Sequence, residues 1–364
     1  MRTLLHVFPT FAVGGAQVRF ARIANRFGGA YRHRVVALDG VTECRRHLAA
    51  DLDCEIITPA APRRGSLAAL LPTRHLLDTL APDLLVTSNW GAMDWVLANA
   101  GGRLPHLHME DGFNADEAGG QLARRVWTRR LALRRSTVML PSRTLMTVAR
   151  ETWRLPERRL VHIPNGIDCD RFDRAADPEF AARLGLTEGD PIIGTVAALR
   201  PEKNLRRLLD AFAVVLGHRP ARLAIIGDGA ERPGLEEHAR RLGLGGRVVF
   251  TGACATPERL LPSLAVFALS SDTEQMPLSL LEAMAAGRAV AATDVGDVAA
   301  MVAPDNRRHV VSRSAESLAA ALLALLADPA HAATLGAANA HRAREAFDQE
   351  RMFRAYGELF DGLH

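Results

Sequence analysis

Four loops in this chain gather residue types that handle anions and sugar hydroxyls. In Ala197-Ala-Leu-Arg200-Pro-Glu-Lys203-Asn204 two cations stand three apart, where a β-branched run gives way to helical periodicity. A cation at a helix N-terminus opposes the helix dipole, so an anion bound there would offset a cost already built in. With the unpaired amides of the helix start, Arg200 and Lys203 make a diphosphate site; a solvated surface pair is the plain alternative. Lys203 is the one lysine among 45 basic residues, the other 44 being arginine. A compact ammonium kept against that bias is either wanted at a phosphate or present by drift.

The segment Ser270-Ser-Asp-Thr-Glu274-Gln-Met276-Pro-Leu278-Ser279-Leu-Leu-Glu282 carries two glutamates eight apart. It predicts a helix starting near Pro277–Ser279, where proline suits the first turn, with Glu282 about one turn in and Glu274 outside. The amides around Met276–Ser279 then share space with Glu274; a cap plus a solvated glutamate is the simpler reading. Earlier, Pro9-Thr-Phe-Ala-Val-Gly14-Gly15-Ala-Gln17 enters a helix running to Phe27. Paired glycines at a helix start let backbone N–H groups approach an anion or a sugar, or simply make a tight turn. In Pro105-His106-Leu-His108-Met-Glu110-Asp111-Gly112, strand alternation puts His106 and His108 on one face. A histidine there can bond a sugar hydroxyl or a phosphate, or serve as an ordinary core residue.

These loops need strands and helices to hold them. Short apolar runs fall at Thr3–Phe8, His33–Leu38, Glu55–Thr58, Asp83–Thr87, Pro105–His108, Thr137–Leu140 and Leu160–Ile163. They resume at Ile192–Ala197, Arg222–Gly227, Arg247–Thr251, Ala265–Leu269, Ala289–Thr293 and His309–Val311. Between them the period is helical: Leu205, Leu208, Leu209, Phe212 and Leu216 form one stripe that ends at Gly217. Strand–helix alternation predicts parallel sheets covered on both faces, and here it occurs twice. Val161-His-Ile-Pro-Asn-Gly-Ile-Asp168 marks the join, followed by polar sequence to Asp190. The expected fold class is therefore α/β, with two doubly wound domains facing across a cleft. Their ligand sites are expected beyond the carboxyl ends of the strands.

Glu274-x7-Glu282 followed by Ala-Met-Ala-Ala-Gly287, Arg200-x-x-Lys203-Asn204, Ile163-Pro-Asn-Gly-Ile-Asp168 and Gly14-Gly15 together resemble the retaining GT-B glycosyltransferases of family 4. The resemblance runs over nearly the whole chain. It implies two Rossmann-like domains, an acceptor-side domain at 1–165 and a nucleotide-sugar domain at 166–345. A C-terminal helix at 346–364 would pack back on the first. It further implies that Arg200 and Lys203 neutralise the donor's diphosphate, that Glu274 lies at the sugar hydroxyls and that Glu282 holds the ribose. Amides at Met276, Leu278 and Ser279 would touch phosphate or sugar. Gly14 and Gly15 would approach donor and acceptor, with His108 and Asp111 close to the sugar. The substrates so implied are a nucleotide-diphosphate sugar, UDP-linked by expectation, and a saccharide or lipid-linked acceptor hydroxyl in envelope glycan synthesis. Two departures bear on the donor sugar: Gln275 stands where the family often has glycine, and Val295-Gly296-Asp297 replaces a common Gly-Gly.

Other chemistries fit less well. A nucleotide-sugar epimerase or hydrolase, or a non-catalytic binding subunit, would share the architecture, but Arg200, Lys203, Glu274 and Glu282 are all in place. Asp51-Leu-Asp53 and Asp168-Cys-Asp170 match the letters of a metal-binding Asp-x-Asp. Neither sits where a diphosphate metal would, so no metal or other cofactor is expected. Gly227-Asp-Gly229 begins a dinucleotide fingerprint, yet its third glycine position is Arg232.

With 364 residues and a formal net charge of +4, the chain suits two domains and gives no sign of a nucleic-acid partner. Four cysteines without a CxxC pair, and no apolar run of spanning length, lead to a cytoplasmic expectation. Arg124, Arg125, Arg129, Arg130, Arg134 and Arg135 crowd six positive charges into twelve residues. At helical spacing they spread around the circumference, which predicts a solvated helix; peripheral contact with an anionic membrane is the alternative.

Overall fold

Among the described residues the named strands pair only in parallel, and each of the thirteen apolar runs forms a strand within two residues of its expected ends. The structure, a computed structural model, describes residues 1–58, 67–113, 117, 120–186 and 189–363. Residues 187 and 188 of the polar stretch after the join, and residue 364 of the expected C-terminal helix, lie outside the described residues. The chain divides into one unit of Met1–Asn165 with Met352–His364 and a second of Gly166–Arg351.

The first unit holds β1 (Arg2–Phe8), β2 (Tyr31–Ala37), β3 (Cys54–Ile57), β4 (Leu84–Ser88), β5 (His106–Met109), β6 (Thr137–Leu140) and β7 (Leu160–His162). Their order is β3-β2-β1-β4-β5-β6-β7, so the winding reverses between β1 and β4. The helix Gln349–Gly362 contributes Met352, Phe353, Tyr356 and Phe360 to this unit's core. That spacing is one helical face, and these residues cluster with Leu4, Ile23 and Tyr31. Burying each such large side chain is worth roughly 1.5–3 kcal/mol. Arg2 ties the helix end down by donating to the Phe360 carbonyl at 2.7 Å.

The second unit holds β8 (Ile192–Val196), β9 (Arg222–Ile226), β10 (Val248–Gly252), β11 (Val266–Leu269), β12 (Ala289–Thr293) and β13 (Val310–Val311). Their order is β10-β9-β8-β11-β12-β13, reversing between β8 and β11. Both faces of this sheet are covered, as alternation requires. Leu223 and Ile225 of β9 enter one apolar cluster, Ala224 and Ile226 the other. The helix Leu205–Leu216 buries Leu205, Leu208, Leu209 and Phe212 and stops at Gly217. Among the described residues no single helix is long and apolar enough to cross a membrane. The bent pair Ala315–Ala327 and Pro329–Phe347 passes on length and composition together, yet Leu318, Leu322, Leu325 and Leu335 are buried in the second unit's core.

The Gly227-Asp-Gly229 turn after β9 serves close packing. A Cβ on Gly227, whose φ is +142°, would lie 1.9 Å from the Ala197 carbonyl oxygen; one on Gly229 would lie 2.5 Å from that of Leu199. The bare backbones let Ala197 N–H donate to Ile226 and Leu199 N–H to Asp228, each at 3.0 Å. This fixes the loop that leads to Arg200 and Lys203. Gly227→Ala is therefore expected to destabilise the protein by about 1–3 kcal/mol. Denaturant unfolding would show a lower midpoint at unchanged slope; an unchanged midpoint would remove this packing role.

Candidate functional site

In an open parallel sheet the two loops that leave the reversal point diverge to opposite faces, and a crevice opens between them. In the second unit those loops follow β8 and β11, and they carry the Arg200–Lys203 and Ser270–Ser279 segments. After β8 the chain runs extended through Arg200 and makes a single 3-10 turn at Pro201–Lys203. Asn204 follows at φ +41°, left-handed, and caps the helix Leu205–Leu216 by accepting from the Arg207 N–H. The helix thus begins two residues beyond Lys203, with the capping Asn204 between.

A frame of polar contacts joins the two loops. Asn204 Nδ2 donates to Asp272 Oδ2 at 3.0 Å and Arg207 to Asp272 Oδ1 at 2.6 Å. Arg207 also donates to the Ser270 carbonyl at 2.7 Å, Ser270 Oγ to the Lys203 carbonyl at 3.0 Å, and Asp272 N–H to the Glu202 carbonyl at 2.9 Å. Across this frame Lys203 Nζ donates to Glu274 Oε1 at 2.5 Å, and Ser271 Oγ donates to the same oxygen at 2.8 Å. The side chains of Lys203 and Glu274 retain 24% and 11% exposure. The pair lines a small pocket with Thr195, Ser270, Ser271 and Ser279. Arg200 is exposed, and its carbonyl accepts from the Lys203 N–H at 3.0 Å.

Beyond Glu274, Gln275 and Met276 are buried. The helix Leu278–Ala285 starts after Pro277 with no side-chain cap, so the N–H groups of its first turn, Leu278 and Ser279 among them, take no partner from a capping side chain. Glu282 stands one turn in, half-buried. Gly296, at φ +53°, is what permits this loop its position: a Cβ there would lie 2.2 Å from the Glu274 carbonyl oxygen. Sequence reading registered Gly296 only as a departure from a pattern, and it passed over Ser271, Arg207 and Asp272. The local signal available was Asn204 three residues before Arg207, the spacing of an N-cap.

In the first unit the loop after β1 reaches Gly14, the extended residue just before the helix Gly15–Phe27, which has no side-chain cap. Gln17 secures it by donating to the Thr10 carbonyl at 2.9 Å. The strand-end histidines do lie on one face, but not at the surface. One Thr87 hydroxyl bonds both His106 Nε2 and His108 Nδ1 at 2.8 Å; His106 Nδ1 meets Ser136 Oγ at 2.7 Å. Burial, with His108 alongside, holds the His106 pKa down at about 3. His108 is wholly buried, its Nε2 3.5 Å from Glu110. Both ring nitrogens of His108 are thus turned to buried partners within the first unit, where the ring ties β5 to β4. Asp111 is also engaged within this unit, with its side chain 17% exposed. Arg19, 3% exposed, grips both its oxygens at 2.5 and 2.9 Å and also donates to Asn165 at 2.8 Å.

The expectation of a solvated Arg124–Arg135 segment fails for two of its six arginines. Arg129 is fully buried, its guanidinium 5.0 Å from the ring centres of Trp90 and Trp153 and 5.5 Å from that of Phe113. It donates to Glu110 and Glu117 at 3.2 Å, and Arg125 donates to Glu117 at 2.9 Å. Removing one partner of such a buried pair typically costs 3–5 kcal/mol, so these charges belong to the fold.

Comparison with known proteins places the chain. Residues 13–171 match the model described as Glycosyltransferase Family 4, and residues 177–342 match Glycosyl transferases group 1. A 2-deoxystreptamine glucosyltransferase of Streptomyces kanamyceticus is 35% identical over 175 residues, 46% of this chain and 45% of the relative. A GDP-mannose-dependent alpha-(1-6)-phosphatidylinositol monomannoside mannosyltransferase of Mycolicibacterium smegmatis is 32% identical over 225 residues, 57% of each. The chain spans about half the length of the curated relatives it matches. Among solved structures, Anabaena HepE in complex with UDP and glucose superposes with a TM-score of 0.84 over 100% of both chains at 20% identity, a likeness of fold. Since two models of this family divide the chain between them, one over most of each reversed sheet, the protein belongs to the GT-B glycosyltransferases of the family 4 type.

Proposed function

We propose that this protein transfers a sugar from a nucleotide-diphosphate sugar, UDP-linked, to a hydroxyl of a saccharide or lipid-linked acceptor, with retention at the anomeric carbon and without a metal ion. The observation that carries this reading is the meeting of Lys203 and Glu274 at the reversal point of the second sheet, with Arg200 exposed three residues before Lys203. Breaking the bond to the anomeric carbon builds negative charge on the departing diphosphate. Arg200, Lys203 and the first amides of the helix Leu278–Ala285 are fixed cations and donors for that charge. Because the frame holds them in place, little reorganisation is needed as the charge develops. Glu274 accepts from the donor's sugar hydroxyls, Glu282 from the ribose, and Gly14 and Gly15 bring backbone to the donor and acceptor.

One carboxylate of each Asp-x-Asp sequence has other work, which supports metal-independent transfer: Asp168 caps Cys169–Phe172, and Asp53 pairs with Arg32. HepE with UDP-glucose favours a UDP-sugar, and the mycobacterial relative's GDP-mannose is the rival donor. The same relative and an alpha-monoglucosyldiacylglycerol synthase of Streptococcus pneumoniae point to lipid-linked acceptors, the 2-deoxystreptamine enzyme to a saccharide-like one. Four free cysteines suit a reducing, cytoplasmic setting.

Thermal-shift titration with UDP, GDP, ADP and their sugar conjugates, with and without chelator, tests the donor. A selective, chelator-insensitive shift supports the reading, and no shift with any nucleotide overturns it. With the donor known, Arg200→Ala or Lys203→Ala should lower turnover by about a hundredfold or more. A variant keeping over half the parent's rate would count against the diphosphate assignment. Glu282→Ala should weaken nucleotide binding by about 1–3 kcal/mol; unchanged affinity would remove the ribose role.

In the free protein Glu274 is already the counter-ion of Lys203, so a diphosphate must displace it. Glu274→Gln should therefore bind the bare nucleoside diphosphate roughly three- to tenfold more tightly while turning over more slowly. Calorimetric titration reads this directly, and weaker binding of the diphosphate would contradict it.

A further inference from the structure

We propose that the outward face of the helix Ala123–Ala132 and the turn after it dock onto an anionic lipid bilayer. The fold sorts this segment's residues by face. Arg125, Arg129 and Leu133 turn inward and are buried. Arg124, Trp127, Leu131, Arg134 and Arg135, at spacings of three, four, three and one, form the exposed stripe. Trp127 is 58% exposed, Leu131 63% and Leu122 36%. These are three of the seven large apolar side chains exposed among the described residues, and they fall within ten positions of each other, so the patch is local.

Among the described residues the charge on this face has no acidic partner. Glu110 and Glu117 neutralise only the inward arginines. No acidic residue occurs between Glu117 and Glu151, and Arg124, Arg130, Arg134 and Arg135 form no ion pair among the described residues. The Arg130 guanidinium lies 5.0 Å from the Trp127 ring centre, and Arg135 reaches the Gly101 carbonyl at 3.4 Å. An exposed indole and leucine on a short segment that also carries Arg124, Arg130, Arg134 and Arg135 are matched by one kind of surface, apolar beneath and anionic on top. Tryptophan settles at the headgroup level, leucine enters the acyl boundary, and arginine keeps its guanidinium among phosphates. A second copy of the chain fits poorly, because a twofold contact would set four guanidiniums against their own symmetry mates. This inference does not rest on the donor assignment, since nucleotide binding uses the second unit.

The test is flotation of the full chain with vesicles of phosphatidylglycerol in phosphatidylcholine, against phosphatidylcholine alone. Binding is expected to the anionic vesicles at about 0.05 M salt, and release by about 0.5 M, where screening shortens to a few ångströms. Trp95 and Trp153 are buried and Trp90 is half-buried, so a blue shift of emission on binding that Trp127→Phe abolishes reports Trp127. The double variant Trp127→Ser with Leu131→Ser should float at least roughly tenfold less well while keeping the parent's melting temperature. Failure of the parent to float at low salt overturns the proposal, as does undiminished flotation of that folded variant. Capture of an acidic polypeptide such as polyglutamate on this face in place of the vesicles would likewise overturn it.

Discussion

The reversal of strand order between β8 and β11 is the constraint on which the rest of the second unit depends. Right-handed crossovers send the connections of β8 and β11 to opposite faces of the sheet, so backbone leaves the reversal point in two directions and a crevice remains. Into it project one cation and one carboxylate, 71 residues apart in sequence and 2.5 Å apart in space. Such a pair costs desolvation and side-chain entropy, and it holds its place only if the backbones that carry it do not move. The bonds of Asp272 to Asn204 and Arg207 supply that rigidity, and the close approaches at Gly227, Gly229 and Gly296 tighten it from behind. The glycines act on the site by letting backbones approach closely.

The first unit handles polarity by different means. Instead of a paired charge open to solvent, it buries a chain of polar groups that runs from Ser136 through His106, Thr87 and His108 to Glu110 and Arg129. In a low-dielectric interior such a chain is costly unless its members satisfy one another. Three aromatic rings around Arg129 keep water out, and its flat guanidinium stacks where a compact ammonium would not. The network fixes the ends of β4 and β5 and the start of the loop beyond them. The bidentate grip of Arg19 on Asp111 fixes the next turn of the same loop.

Burial also decides what the arginine-rich segment can do. Six cations in one short stretch would repel one another if all were solvated. Folding pairs two of them with Glu110 and Glu117 and leaves four outside beside Trp127 and Leu131. A uniformly charged run in the sequence thereby becomes a two-sided helix in space. Its polarity is set by which side chains find carboxylates, not by hydrophobic periodicity.

What the sequence by itself determined is local. Thirteen strands, the helix from Leu205 to Leu216, the start of a helix after Pro277 and the join near Asn165 were legible because side-chain period, proline and glycine act over a few residues. So were the loops that carry Arg200, Lys203, Glu274 and Glu282, since each combines a strand end with charged residues at fixed short spacing. The tertiary structure alone decided how those residues meet. That Lys203 faces Glu274, that Asp111 is taken by Arg19, that His108 points into the core, and that Arg125 and Arg129 are buried while Arg124 and Arg134 are not, all depend on partners 8 to 92 positions away. No period in a sequence encodes such separations; sheet order and core packing set them, because only a folded chain brings two distant groups into one dielectric environment.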